Sequence, residues 1–215
     1  MRRSMATSDG MGSMPPLYAR DLSLAVVLVV SLLIWRVMET TVDIRSRLRL
    51  RAGAQREDRG SLLVVAILVT LGAFLGAVVA FKVPGAVITT SVVGRETLFW
   101  LGILLIYAGM AFRLYAIHTL GAYFTTTVAV APEQVVVETG PYRLIRHPAY
   151  TGLLTTLFGF GLTCTNWLTL LIVMSCALIA IGYRIHVEER ALRERLGQPY
   201  QAYMRRTKRL IPFVL

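Results

Sequence analysis

Apolar and polar positions along this chain fall into long blocks rather than short alternations. Leu22 to about Val42, Ser61 to Phe81 and about Glu96 to His118 are mostly apolar. Each is about 20 residues, enough to cross a hydrocarbon core of roughly 30 Å as a helix. Pro148 to Tyr183 carries no charged residue. A straight helix of that length would reach about 54 Å at 1.5 Å per residue, well past such a core. The run must therefore fold back. Thr163-Cys164-Thr165-Asn166 is its predicted turn, which makes a tight helical hairpin with both ends on one side. Gly152, Gly159 and Gly161 on the first leg predict close helix contact, so Gly159-Phe160-Gly161 reads as packing and not as a nucleotide loop. The predicted fold is all-α and integral to a membrane. It has about five transmembrane helices, the last two forming a C-terminal hairpin.

The segments between these runs differ in kind. Residues 1–20 are small and polar and read as a disordered tail. Residues 43–60 form a loop with six arginines against three acids. Thr119 to Thr139 is rich in Thr and Val and predicts two short extended pieces, an ordinary β-hairpin on the membrane surface being the alternative. Arg184 to Leu215 is charged and helical at first, breaks near Gly197-Gln198-Pro199, and resumes around Tyr200 to Arg206. Three regions result: the tail 1–20, three helices over 21–118 with the basic loop 43–60, and a region over 119–215 that holds linker, hairpin and tail helix.

Composition agrees with a membrane protein. Of 215 residues, 55% are hydrophobic and 16% charged, with a mean hydropathy of +0.61. The net charge of +11 points toward nucleic acid only until its placement is considered. The basic residues stand in blocks between apolar runs, as the positive-inside rule requires, so no nucleic-acid partner is expected. With five spans, loop 43–60, segment 113–147 and the tail share one side and hold seventeen basic residues against five on the other, leaving aside Arg36 within the first span. That asymmetry predicts an N-terminus outside and a cytosolic C-terminus. Cys164 and Cys176 lie inside apolar runs and read as buried small hydrophobes. The three histidines show no metal-ligand spacing, and no metal is expected.

Two polar constellations could carry chemistry. Gly140-Pro141-Tyr142-Arg143-Leu144-Ile145-Arg146-His147-Pro148-Ala149-Tyr150-Thr151-Gly152 crowds cationic and aromatic groups at the mouth of a membrane segment. Taken singly, its tyrosines suit an interfacial belt, and His147 suits a position ahead of a helix started by Pro148. Beyond the hairpin, Arg184 and Glu188 stand four apart and share a helix face. They read either as a snorkelling pair or as an anion clamp beside a cation-binding carboxylate. No strand–Gly-x-Gly–helix element appears, so a Rossmann-like cofactor sheet is not expected.

Together these motifs resemble the isoprenylcysteine carboxyl methyltransferase family. The resemblance rests on the Gly140–Gly152 stretch, the apolar hairpin, and then Arg184, Glu188, Glu189, Leu192, Gly197, Tyr200 and Tyr203, closing with Arg209 and Pro212. It covers about Leu120 to Pro212; Leu196 stands where an aromatic is frequent. It implies an integral-membrane enzyme that transfers a methyl group from S-adenosylmethionine to the carboxylate of an isoprenylated cysteine or similar lipophilic acceptor arriving from the bilayer. The implied cofactor pocket lies at the cytosolic face, built by linker and tail. Carried over by position, the cofactor contacts are Gln134, Val135, Val136, Val137, Tyr142, His147, Pro148, Ala149, Tyr150 and Glu188. Arg184 is the implied holder of the acceptor carboxylate, and Arg184 and Glu188 are the implied catalytic pair. The alternatives are a phospholipid or small-thiol methyltransferase, in which His186 or Glu189 would serve as base, a sterol reductase using a nicotinamide cofactor, and a non-catalytic membrane protein. A composition rich in Arg, Ala and Val suggests a bacterial cell membrane.

Overall fold

A computed structural model describes residues 15–49, 55–56, 58–127, 129–130 and 135–211. Six α-helices account for most of it: α1 (Leu22–Arg49), α2 (Ser61–Lys82), α3 (Val92–Leu120), α4 (Pro148–Thr163), α5 (Trp167–Leu196) and α6 (Gln198–Arg206). The first three and α5 are long and apolar enough to cross a membrane. At 16 residues, α4 is about 24 Å long and falls short of a full hydrocarbon core. It still reaches the far end of the molecule, because its turn meets the α2–α3 connection there.

That turn lies where the apolar run predicted it. Thr163 and Asn166 bracket it, and Thr165 takes a left-handed φ of 52°. The Asn166 side chain accepts from the backbone N–H groups of Leu168 and Thr169 at 3.1 and 3.0 Å, which starts α5 with a conventional N-cap. Its amide also donates to the Val83 carbonyl at 3.0 Å, and Ile88 N–H donates to the Thr165 carbonyl at 2.9 Å. The chain start is fixed at the same end. Leu17–Ala19 forms a 3-10 turn, and Tyr18 packs edge-on against Phe81. The disorder expected over 1–20 therefore does not hold for its last residues, whose apolar Leu17 and Tyr18 pack on the core; residues 1–14 lie outside the described part.

Glycines explain the closest packing. The most extensive helix contacts are α3 with α4 and α2 with α5. A Cβ on Gly102 would lie 2.6 Å from the Gly159 carbonyl oxygen, and one on Gly109 2.6 Å from that of Gly152. The two antiparallel pairs, each spaced by seven residues, let the α3 and α4 backbones touch directly. Gly152 and Gly159 thus serve the preceding helix, while Gly161 alone faces the hairpin partner at Leu170. Phe99, Ile106, Leu157 and Ile181 fill the centre and are inaccessible to solvent.

The linker departs from expectation. α3 runs on to Leu120, a 3-10 turn covers Gly121–Tyr123, and only Ala129–Val130 (β2) is extended and paired among the described residues. Its partner is Gln55–Arg56 (β1) of the basic loop, antiparallel, and not a second piece of the linker. A strand of two residues takes whichever edge the surrounding helices bring near, and local pattern does not encode that edge.

Candidate active site

The Gly140–Gly152 stretch is held by the tail. Gly140–Arg143 forms a 3-10 turn, then Ile145 pairs in parallel with Lys208. Arg146 N–H donates to the Lys208 carbonyl at 2.7 Å and His147 N–H to that of Arg209 at 3.0 Å. The Tyr203 hydroxyl donates to the Tyr142 carbonyl at 2.8 Å, and Thr151 Oγ1 donates to the Leu210 carbonyl at 2.7 Å. Pro148 then opens α4 at its first position, where a missing N–H costs nothing.

Two adjacent glutamates on α5 diverge completely. Glu189 is 1% exposed and receives Arg146 Nε at 2.9 Å, His147 Nε2 at 3.3 Å and Arg209 Nη2 at 3.0 Å. It staples tail, linker and α5 together. Glu188 turns instead to an open cavity and accepts from the Tyr150 hydroxyl at 2.7 Å. His147 Nδ1 lies 4.0 Å from the same Glu188 oxygen, and the His147 and Tyr150 rings stack at 5.7 Å. Burial, with Glu188 nearby, pushes the Tyr142 phenol above its ordinary value, so it stands as a neutral hydroxyl.

Arg184 and Glu188 do not meet directly in this arrangement, because Tyr150 is interposed. Arg184 Nε donates to the Tyr150 hydroxyl at 3.1 Å, and that hydroxyl passes its own proton toward Glu188. The rest of the guanidinium is taken up by Asp58, Ser61 and the Thr126 carbonyl. Thr126 is itself tied to α1, its Oγ1 donating to Asp43 at 2.7 Å and its N–H to Ser46 Oγ at 2.7 Å. A buried arginine with four partners joins α2, α4, α5 and the linker.

The cavity has a volume of about 470 Å³ and is lined by Val135, Val136, Val137, Tyr142, His147, Ala149, Tyr150, Arg184 and Glu188. Most of the residues singled out in the sequence are thus brought together. Pro148 is buried behind this lining, and Gln134 lies outside the described residues. Of the base candidates, Glu189 is held by Arg146, His147 and Arg209, and His186 is exposed on α5.

The sequence motifs missed the opposite wall. Arg36, Glu39 and Asp43 of α1 and Leu62, Val65 and Val69 of α2 complete the cavity. Arg113 of α3 grips Glu39 through Nε at 2.7 Å and Nη2 at 3.0 Å, and donates from Nη1 to the Ala149 carbonyl at 3.0 Å. The available signal was charge inside apolar runs, since ionisable residues there are costly and usually face a bundle interior.

Residues 100–194 match the family model for isoprenylcysteine carboxyl methyltransferases. The chain is similar to this family over that stretch. It is 35% identical over 116 residues to the protein-S-isoprenylcysteine O-methyltransferase of Saccharomyces cerevisiae, covering 53% of this chain and 48% of that one. Against protein-S-isoprenylcysteine O-methyltransferase B of Arabidopsis thaliana it is 26% identical over 172 residues, covering 75% and 82%. The solved structure of the eukaryotic intramembrane Ras methyltransferase, an isoprenylcysteine carboxyl methyltransferase, superposes with a TM-score of 0.53 at 24% identity, over 71% of this chain and 52% of that one. That likeness concerns the fold. The chain spans about half the length of the yeast relative.

Proposed function

We propose that this protein is a membrane methyltransferase that uses S-adenosylmethionine to esterify the carboxylate of an isoprenylated cysteine or similar lipophilic acceptor. The observation that carries the reading is the Arg184–Tyr150–Glu188 relay, facing a cavity that also carries an apolar strip on α2. The donor set fits a cationic, polar methyl donor. Glu188 offers a carboxylate whose close partner is a neutral hydroxyl, and Thr127 Oγ1 on the linker wall is buried without a partner among the described residues. A volume of about 470 Å³ lies within the usual range for small-molecule sites.

When bound, the donor supplies an electrophilic methyl group on a sulfonium. The protein groups have defined tasks around it. Glu188 balances the donor's positive end, and Tyr150 fixes the Glu188 carboxylate by hydrogen bonding. Tyr142, His147 and Ala149 form one flank, with Val135 to Val137 on the other, and Pro148 sets the start of α4. Arg184 positions Tyr150, and it takes an acceptor carboxylate only by exchange with Asp58.

The acceptor needs no base, because a carboxylic acid with a pKa near 4 is already ionised at neutral pH. In the transfer a carboxylate oxygen forms a bond to the methyl carbon, the carbon–sulfur bond breaks, and its electron pair stays on sulfur. Opposite charges are neutralised, so the site has to align the reactants and exclude water. An amine or thiol acceptor would require proton removal, for which Glu189 is committed and His186 misplaced.

The apolar strip of α2, with Leu62, Val65 and Val69, suits a lipid chain, and α1 and α2 make little contact with each other. The acceptor therefore approaches from the bilayer between them. The basic end, with the cavity and tail, is assigned to the cytosol. Calorimetry with S-adenosylmethionine in detergent tests the pocket. Binding to the wild type that weakens at least about tenfold in Glu188→Ala supports it; no binding, or binding indifferent to the change, removes it.

A further inference from the structure

Five arginines line the cavity: Arg36, Arg47, Arg113, Arg146 and Arg184. Four are committed to partners within the protein. Arg47 pairs with Asp43 at 2.8 Å. Arg113 is spent on both oxygens of Glu39 and on the Ala149 carbonyl. Arg146 serves Glu189 together with the Met204 and Thr207 carbonyls, and Arg184 has the four partners given above. Among the described residues, the Arg36 guanidinium has none.

Its position makes that unusual. Arg36 is exposed within the apolar run of α1, where a guanidinium without a partner is expensive in a membrane unless it opens onto a water-filled cavity and something to bind there. The nearest acid one turn along the same helix is Glu39, whose two oxygens already hold Arg113. The preceding residue adds a second, independent sign. The Trp35 indole N–H is buried on the same cavity wall with no acceptor among the described residues. A buried donor left unsatisfied is costly, and native proteins seldom leave one without a use. Two adjacent, uncommitted donors, one of them cationic, form a seat for an anionic oxygen group.

We infer that Arg36, with Trp35 beside it, receives the carboxylate of the acceptor and so selects acidic amphiphiles as substrates. This rests on the methyltransferase reading for its reaction, but not for its binding test. With the acceptor held from α1, Arg184 keeps Asp58 and remains the positioning residue of the Tyr150–Glu188 relay. The apolar face of α2 then takes the lipid chain. Recognition of head and tail is assigned to two helices that make little contact with each other, on the wall across from the donor residues.

The test compares binding of N-acetyl-S-farnesylcysteine with that of its uncharged carboxamide, in detergent, by wild type, Arg36→Gln, Arg36→Lys, Trp35→Phe and Arg184→Gln. Wild type should prefer the acid by about tenfold or more, as expected for a charge-assisted pair. Arg36→Gln should abolish that preference while carboxamide affinity stays within about twofold. Arg36→Lys should keep part of it because the charge remains, and Trp35→Phe should reduce it by a few fold. The exposed Arg190→Gln control should change neither. Preference retained in Arg36→Gln overturns the inference, and preference lost only in Arg184→Gln returns the carboxylate to Arg184. Failure of the wild type to bind S-adenosylmethionine would count against the methyltransferase reading alone, since the acid–amide comparison is read without it.

Discussion

The two walls of the cavity are built on different principles. On one side α3 and α4 meet backbone to backbone through glycines, α5 packs beside them, and the tail is strapped across by Glu189. On the other side α1 and α2 face the same space with side chains and make little contact with each other, α2 being packed instead on α5 through Gly72 and Gly76. The tight wall carries the groups assigned to the methyl donor, which must be held to a fraction of an ångström for transfer to be fast. The loose wall carries the groups assigned to the acceptor, which has to come in from lipid and leave again. The difference teaches that access is left at the seam between α1 and α2, while precision rests on the close contact of α3 with α4.

Filling the tight wall should have the largest effect. Gly109→Leu would drive a side chain into the Gly152 carbonyl and Thr156 backbone, neither of which can rotate away. The expected cost is about 3 kcal/mol or more, read as loss of monodisperse protein in detergent. The adjacent glutamates come next and separate structure from function within one helical turn. Glu189→Gln leaves Arg146 and His147 facing a neutral amide in a buried setting and should cost about 3 kcal/mol, seen as a large fall in thermal midpoint. Glu188→Gln should leave that midpoint nearly unchanged and weaken S-adenosylmethionine binding about tenfold. Equal melting losses for the two variants would erase the distinction.

Tyr150→Phe removes the hydroxyl between Arg184 and Glu188 while keeping the ring that stacks on His147. A tenfold or so reduction in kcat/KM is expected, with a stability loss of about 1–2 kcal/mol from the orphaned Arg184 Nε. The loose wall should give the smallest effect. Ala66→Leu on α2 narrows the apolar side of the cavity and should cost less than about 1 kcal/mol. Its signature is a shift in acceptor preference toward shorter chains, measured with geranyl and farnesyl analogues.

This contrast also marks what could be read without a structure. The apolar blocks placed the helices, and the length of the Pro148–Tyr183 run demanded the turn at Thr163–Asn166. Spacing put Arg184 and Glu188 on one face, and the motif stretch supplied part of one cavity wall. Three things were not legible. Tyr150 as the link between Arg184 and Glu188 depends on the tilt of α4, which its glycine contacts with α3 determine. The opposite fates of Glu188 and Glu189 depend on where the tail returns with Arg209, a contact made by chain 20 residues away. The α1 contribution was hidden because Arg36, Glu39 and Arg113 each look like a snorkelling charge when read alone; only packing shows that Glu39 and Arg113 satisfy one another and leave Arg36 out.

The most direct test of the account is transfer of a labelled methyl group from S-adenosylmethionine to N-acetyl-S-farnesylcysteine by the purified protein. The account predicts a labelled product that releases its label as methanol on mild base treatment, because a methyl ester hydrolyses there. No labelled product, or a base-stable label obtained only with amine or thiol acceptors, would contradict it.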